Sequence, residues 1–266
     1  MASQESSVFV RLDGRLAQFK KEPTREYWEG RWAEMSDAGL ARTLRPSRFL
    51  GSHAAFFRRH MAPGARVLEA GCGVGLWVRR LRESGYRVIG LDYARRTLIR
   101  SRRVAPDLVF TAGDLRRLPF PDASFDAHVS FGVLEHYIDG PQEILAEAMR
   151  ILRPGGRLLA SVPQVNRLRE PIEGRSRAEA ESEGYRFHQY YFTAPELKAL
   201  LEGAGFVASE DLHPYSAHHG LYDGSPGYRR VHAASGPLGR AAMLLDYVPG
   251  LSQSVGHMLF AVGVRP

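Results

Sequence analysis

The chain has 266 residues, enough for one large α/β domain or two small ones. Apolar residues make up 44% and charged residues 24%, and no run approaches the ~18 apolar residues of a membrane span, so an integral membrane class is set aside. The net charge of +7 raises nucleic acid or an anionic membrane as partners, but every basic residue except Lys20, Lys21 and Lys198 is arginine, which beside abundant Ala and Gly reads as coding bias.

In chain order, YWEGRW (27–32) and FLGSHAAFFRRH (49–60) are expected as helices of an N-terminal extension, residues 1–60. The main domain, residues 61–266, opens on the apolar strand ARVLEA (65–70). GLWVRRLRESG (75–85) follows as an amphipathic helix stopped by Gly85. YRVIGLD (86–92) is a strand, ARRTLIRSRRVA (94–105) a helix closed by Pro106, and DLVFTAGD (107–114) and SFDAHVSFG (124–132) are strands. GPQEILAEAMRILRPGG (140–156) is a helix with Pro141 in its first turn, and RLLASVP (157–163) is the next strand. TAPELKALLEGAGF (193–206) carries a capping box, Thr193 with Glu196, ahead of the last strands FVASEDL (206–212) and GHMLFAVGV (256–264). This alternation implies an α/β fold, a mostly parallel seven-stranded sheet with helices on both faces. Two insertions, 164–191 and 213–255, feed the sheet edge where such folds bind ligands and are expected to form a lid or cap. The basic run from Arg79 to Arg103 lies on two of the helices without interleaved aromatics and reads as solvated surface.

Three glycines, Gly71, Gly73 and Gly75, sit in the turn from the first strand to its helix, where bare backbone admits a ligand and helix N–H groups point at it. The spacing is G-x-G-x-G, with Val74 and Leu76 where a dinucleotide fingerprint differs, which weighs against a dehydrogenase. The next strand ends in Asp92, placed to accept the hydroxyls of a ribose, and the third in Asp114, placed to accept from an exocyclic amine. The series VLEAGCGVG, VIGLDYA, AGDLRRLPFPDASFDAHVSFGVLEH and LRPGGRLLASVP strongly resembles the class I S-adenosylmethionine-dependent methyltransferases, nearest to the branch acting on small molecules. The resemblance covers residues 62–165 and continues weakly through FTAPELKALLEGAGF and HMLFAVGVRP. It implies a Rossmann-like fold and S-adenosylmethionine as cofactor. It puts Glu69 near the methionine ammonium, the turn Gly71, Cys72, Gly73 and Gly75 against the methionine and ribose, Asp92 with its neighbour Tyr93 at the ribose, Asp114 and Leu115 at the adenine, and Phe131–Gly132 beneath the sulfonium. An aromatic N-terminal helix carrying Tyr27, Trp28 and Trp32 is expected, by the same resemblance, to cover the cofactor.

A sulfonium is already an activated leaving group, so the protein mainly positions the acceptor, and a base matters only for an acceptor that arrives protonated. His136, after the fourth strand, is the first candidate base, and His188 and Tyr191 of YRFHQYYF (185–192) are further catalytic candidates. Cys72, the single cysteine, precludes an internal disulfide, reads as a small filler rather than a nucleophile, and fits a reducing cytoplasm. The opening residues show no basic stretch followed by an apolar one, so no secretory leader is expected. His213, His218, His219 and Asp223 match no tight ligand spacing, and no metal is expected. The expected partner is a small-molecule acceptor methylated on oxygen or nitrogen, a specialised metabolite fitting best, without nucleic acid and without stable membrane anchoring; a homodimer stays open. The place of the Asn- or Asp-Pro-Pro-aromatic motif of amino-methylating nucleic-acid enzymes reads SFGVLEH, which disfavours that rival. A lipid or protein acceptor stays open, since GPLGRAAMLLDYVPGL (236–251) is apolar with one basic residue, and so does a silent scaffold that keeps the cofactor fold.

Overall fold

The structure is a computed structural model that describes residues 7–21, 28, 30, 32–46, 53–208, 212–225, 227–228, 244–245, 248 and 250–266. Its first element departs from the helical extension expected over residues 1–60. SVFVRL and RLAQFK form an antiparallel hairpin, β1 (Ser7–Leu12) and β2 (Arg15–Lys20), joined through Asp13 and Gly14, both at positive φ. An Asp-Gly pair between alternating apolar residues is the turn chemistry that demands φ > 0 at both positions, so local sequence specifies this hairpin. Helical backbone returns at residues 28, 30, 32 and 33, then in α1 (Asp37–Thr43), capped by the Ser36 side chain on Gly39 N–H, and in α2 (Ala54–His60).

The central sheet follows the expected alternation. β3 (Arg66–Ala70), α3 (Leu76–Glu83), β4 (Arg87–Asp92), α4 (Arg95–Val104) and β5 (Val109–Ala112) build outward in one direction. β6 (Phe125–Phe131), α5 (Gln142–Ile151) and β7 (Leu152–Pro163) then return on the other side of β3. These five strands are parallel. β7 starts at Leu152, earlier than expected, because Pro154 ends helical pairing and Gly155 and Gly156 instead exchange backbone bonds with Arg265. The insertion after β7 supplies α6 (Arg177–Ser182) and β8 (Arg186–Tyr190). β8 pairs with β2, so the hairpin and this insertion close a second, three-stranded sheet over their own small core of Val10, Ala17, Phe19, Ala180 and Tyr185. α7 (Ala194–Gly203) opens on the expected Thr193–Glu196 capping box. The edge strand expected over 206–212 comes as two pieces, β9 (Val207–Ala208) and β10 (His213–Tyr215), pairing with opposite ends of β11 (Met258–Val264). α8 (Ala217–Gly224) and α9 (Leu251–Val255) lie between them in the chain. The order across the main sheet is β10-β11-β7-β6-β3-β4-β5, with β9 beside β11.

Strands buried on both faces read as continuous apolar runs, and the side chains here divide accordingly. Val67, Val88 and Val129 face one apolar cluster with Phe57, Leu81 and Phe260; Leu68, Leu91 and Leu158 face the other with Leu145, Ile151 and Leu201. The order in which strands are added reverses between β3 and β6, which run parallel, so the crevice at their C-terminal ends is where an open α/β sheet of this kind takes a ligand.

Candidate functional site

The glycine turn is packed by protein. A Cβ at Gly71 would stand 2.5 Å from Val133 Cγ2, one at Gly73 2.8 Å from Trp32 Cζ2, and one at Gly75 2.6 Å from the Phe110 ring. The bare backbone therefore admits three side chains, from the segment after β6, the N-terminal segment and β5. Gly73 also sits at φ +52, a conformation L side chains rarely adopt. Cys72 lies inside the turn with its thiol buried, and burial raises the pKa of that thiol.

Two carboxylates close the turn from below. Asp92, 7% exposed, accepts from Gly73 N–H at 2.8 Å through Oδ2 and from Ala94 N–H at 2.9 Å through Oδ1. Glu69, 3% exposed on β3, has an Oε2 with no hydrogen-bond partner among the described residues. Burial drives its pKa well above the usual carboxylate range, opposed by the Val78 N–H and reinforced by Asp92. A buried, half-satisfied carboxyl beside a second acid is arranged for a cation, which would restore the charged form. That donor set fits an amino-acid ammonium and a ribose diol on one ligand. Tyr93 is half-buried beside Asp92, and Leu115 is buried. Asp114 lies further out in an exposed ion pair with Arg116, Oδ2 to Nη2 at 2.8 Å, so an amine would share this carboxylate with a guanidinium.

Across the crevice, Phe131 ends β6 half-buried, its ring 5.8 Å from Phe57, 5.3 Å from Trp77 and 5.0 Å from Phe260. Tyr215 stacks on Phe260 at 4.4 Å, with the His53 ring 4.5 Å away. After Phe131 the chain makes the 3₁₀ turn Leu134–His136. His136 Nδ1 donates to the His188 carbonyl at 2.7 Å; since a carbonyl only accepts, Nδ1 carries the proton and Nε2 is the free acceptor. Burial lowers the His136 pKa to about 4. His188 is the extra residue of a bulge where β8 slips one position against Gln18 and Phe19, and the bulge turns its carbonyl to His136. Trp28 stacks on His188 at 6.1 Å and meets His136 edge-on at 5.0 Å.

The structure thus brings His136 and His188 together. Tyr191 is held elsewhere, its ring 5.7 Å from Phe9 and under the Arg169 guanidinium at 4.7 Å. Tyr27 lies outside the described residues. Trp32 reaches Gly73 and Trp28 reaches the histidine pair, with the two indoles stacked at 6.2 Å. Sequence reasoning missed what fixes this segment. Arg79 Nε donates to Leu44 O at 2.9 Å and its guanidinium grips Asp107, while Arg100 donates to Trp32 O at 3.1 Å and Met35 O at 2.6 Å. Two arginines of the supposedly solvated run therefore pin the N-terminal segment to α3 and α4. It also missed Glu135, buried between Leu134 and His136, although an acid inside an apolar stretch was visible in GVLEHY. Among the described residues no group of three or more His, Cys, Asp or Glu is placed to hold a metal, and no helix is long and apolar enough to cross a membrane.

Residues 68–160 match the family model described as a methyltransferase domain. A probable S-adenosylmethionine-dependent methyltransferase of Mycolicibacterium smegmatis is 40% identical over 162 residues, 60% of this chain and 60% of that protein. The demethylmenaquinone methyltransferase of Renibacterium salmoninarum is 39% identical over 37% of this chain and 41% of its own, and the malonyl-[acyl-carrier protein] O-methyltransferase of Serratia marcescens 39% identical over 41% and 42%. The matches thus span about two fifths to three fifths of these relatives. In shape, the Haloferax volcanii methyltransferase solved with the Trm112 activator covers 91% of this chain and 99% of its own at TM-score 0.60 and 23% identity, which speaks to the fold. Over residues 68–160 the chain is thus similar to methyltransferase domains, and the relatives it matches there carry methyltransferase names.

Proposed function

We propose that this chain transfers a methyl group from S-adenosylmethionine to an oxygen or nitrogen of a small molecule. The observation that carries the cofactor half is the buried Oε2 of Glu69, unpartnered among the described residues, beside Asp92 at the glycine turn. Glu69 would hold the ammonium and Asp92 the ribose hydroxyls, with Asp114 and Leu115 toward the adenine and Trp32 over the turn. When bound, the cofactor supplies a methyl on a positively charged sulfur.

What this chain adds is positioning. The ring wall of Phe131, Trp77 and Tyr215 supports an apolar acceptor of modest size, since rings exclude water and can face a cation. His136 Nε2 supports an acceptor presenting O–H or N–H, because a neutral imidazole with Nδ1 committed offers one hydrogen-bond acceptor. The small-molecule reading also draws on relatives whose names specify a quinone precursor and a carrier-bound acyl group. Calorimetric titration with S-adenosylmethionine and S-adenosylhomocysteine, with NADH as control, tests the first half. Micromolar binding of both sulfur ligands and none of NADH is expected; a folded protein that binds neither overturns the assignment.

A further inference from the structure

We infer that Glu135 is the residue that takes the proton of the methyl acceptor, and that the acceptor is a ring-bearing apolar molecule presenting a hydroxyl. This rests on the methyltransferase reading above and names its substrate class.

Glu135 sits on the 3₁₀ turn directly after β6, 2% exposed. Its Oε2 has no hydrogen-bond partner among the described residues, and its Oε1 is 4.0 Å from His136 Nε2. A Cβ built at Gly132 would lie 3.5 Å from Oε1, an ordinary contact distance, so the carboxyl stands against the backbone at the end of β6, next to Phe131 in the chain. The backbone N–H of Glu135 itself meets part of the carboxyl, and a half-satisfied buried carboxyl costs folding free energy unless something meets the rest.

The groups facing Glu135 narrow the choice of base. His136, from the same turn, has Nδ1 committed to the His188 carbonyl on β8, is influenced by Lys20 on β2, and at about 4 is a weak base. Tyr215, from β10, donates to Ser161 Oγ on β7 at 3.3 Å, and burial holds its phenol protonated. Glu135 is pushed up to about 8 by burial, close to an ordinary working pH and so well matched for accepting a proton. Approach of a cationic cofactor favours the carboxylate and brings that midpoint down. Tyr215 and Phe131 both pack on Phe260, giving a wall of rings at the carboxyl on which a planar acceptor can stack.

The step balances without a further reactant. The acceptor oxygen forms the new C–O bond, the methyl C–S bond breaks with its electron pair left on sulfur, and the hydroxyl proton passes to Glu135. Glu135 then returns it to solvent after product leaves.

The test offers methyl-labelled S-adenosylmethionine with naphthol, naphthylamine or naphthoate to wild type, Glu135→Gln and His136→Asn. Transfer to naphthol is expected, with kcat in Glu135→Gln lower by ~10²–10⁴-fold and S-adenosylhomocysteine affinity unchanged within a few-fold. In wild type, kcat rises with pH through a midpoint below 8. A break near 4 that survives in Glu135→Gln would move the base to His136. A readout independent of turnover is infrared difference spectroscopy of the S-adenosylhomocysteine complex. A protonated-carboxyl C=O band that titrates with pH should vanish in Glu135→Gln and persist in Glu69→Gln. Undiminished transfer in Glu135→Gln, or no band lost, overturns the role of Glu135. Transfer to naphthylamine alone, or to no probe by a protein that binds S-adenosylhomocysteine, overturns the acceptor class. Failure to bind S-adenosylhomocysteine is failure of the underlying reading instead.

Discussion

Asp92→Ala is expected to damage both the fold and cofactor binding, and the two losses can be separated. The carboxylate is the hydrogen-bond acceptor for two backbone donors, Gly73 N–H at 2.8 Å and Ala94 N–H at 2.9 Å, in a buried setting. Each buried N–H left without an acceptor costs about 1–3 kcal/mol, so the turn loses roughly 2–6 kcal/mol. Against a total stability of about 5–15 kcal/mol this is severe, and at roughly 2–4 °C per kcal/mol the melting temperature falls by at least about 4 °C. A ribose diol bonded to the same carboxylate adds two charge-assisted bonds of about 1.5–3 kcal/mol each, so affinity for S-adenosylhomocysteine falls by ~10²–10⁴-fold. Asp92→Asn separates the effects, since the amide keeps one acceptor and the shape; its melting temperature should lie between those of wild type and alanine. Scanning calorimetry and titration on all three proteins form the assay. An alanine variant with wild-type melting temperature and affinity within a few-fold would refute both the turn-clamping and the ribose role.

Gly75→Ala should cost about 1–2 kcal/mol from φ +89 alone and more from the Phe110 ring 2.6 Å from the new methyl, read as a lower urea midpoint with unchanged slope. Stability of the ligand-free protein should peak near pH 6.5. His53, His128 and His136, each lowered to about 4 mainly by burial, contribute stability above their ordinary 6.5 that is lost as pH falls from there. Glu135, raised to about 8 from 4.5, contributes stability below 4.5 that is lost as pH rises to 8. Melting temperatures over pH 4–9 check this. His128→Leu should flatten the acid limb, Glu135→Gln the alkaline one, and a wild type that gains stability from pH 6.5 to 8 would refute the assignment.

The sheet was legible because its strands are buried on both faces and announce themselves as apolar runs between glycine and proline punctuation, as with RVLEA and RVIGLD. Asp92 could be picked out as a candidate because an acid ending an apolar strand has few structural uses, whereas Glu69 was named only through the family resemblance. The hairpin went unread although Asp13-Gly14 lies between VFVRL and RLAQF, because its partner β8 is distant in sequence and only long-range pairing closes the small sheet. The arginine run misled for a related reason. Composition counts charge, but burial depends on what comes back across it, and Arg79 is 4% exposed because Asp107 and Leu44 do. Glu135 hid beside His136 because a histidine draws attention as a base at its ordinary pKa, whereas burial moves this histidine to about 4 and the neighbouring acid to about 8.

The N-terminal segment joins the two halves of the site through two indoles that should be separable by experiment. Trp32 packs on Gly73, in the turn clamped by Asp92, so its removal uncovers the cofactor side. Trp28 packs on His136 and His188, next to Glu135, so its removal loosens the acceptor side. Trp32→Ala should therefore weaken S-adenosylhomocysteine binding with the acceptor KM little changed. Trp28→Ala should leave that affinity within a few-fold while raising the acceptor KM or lowering kcat. The indoles stack at 6.2 Å and are anchored by Arg100 at Trp32 O, so they can also act as one body. The double variant decides between these cases. Additive losses mean that each indole serves its own ligand. A double variant no worse than Trp32→Ala means that the cofactor side orders the segment and Trp28 follows, which would make acceptor binding depend on prior cofactor binding through this contact.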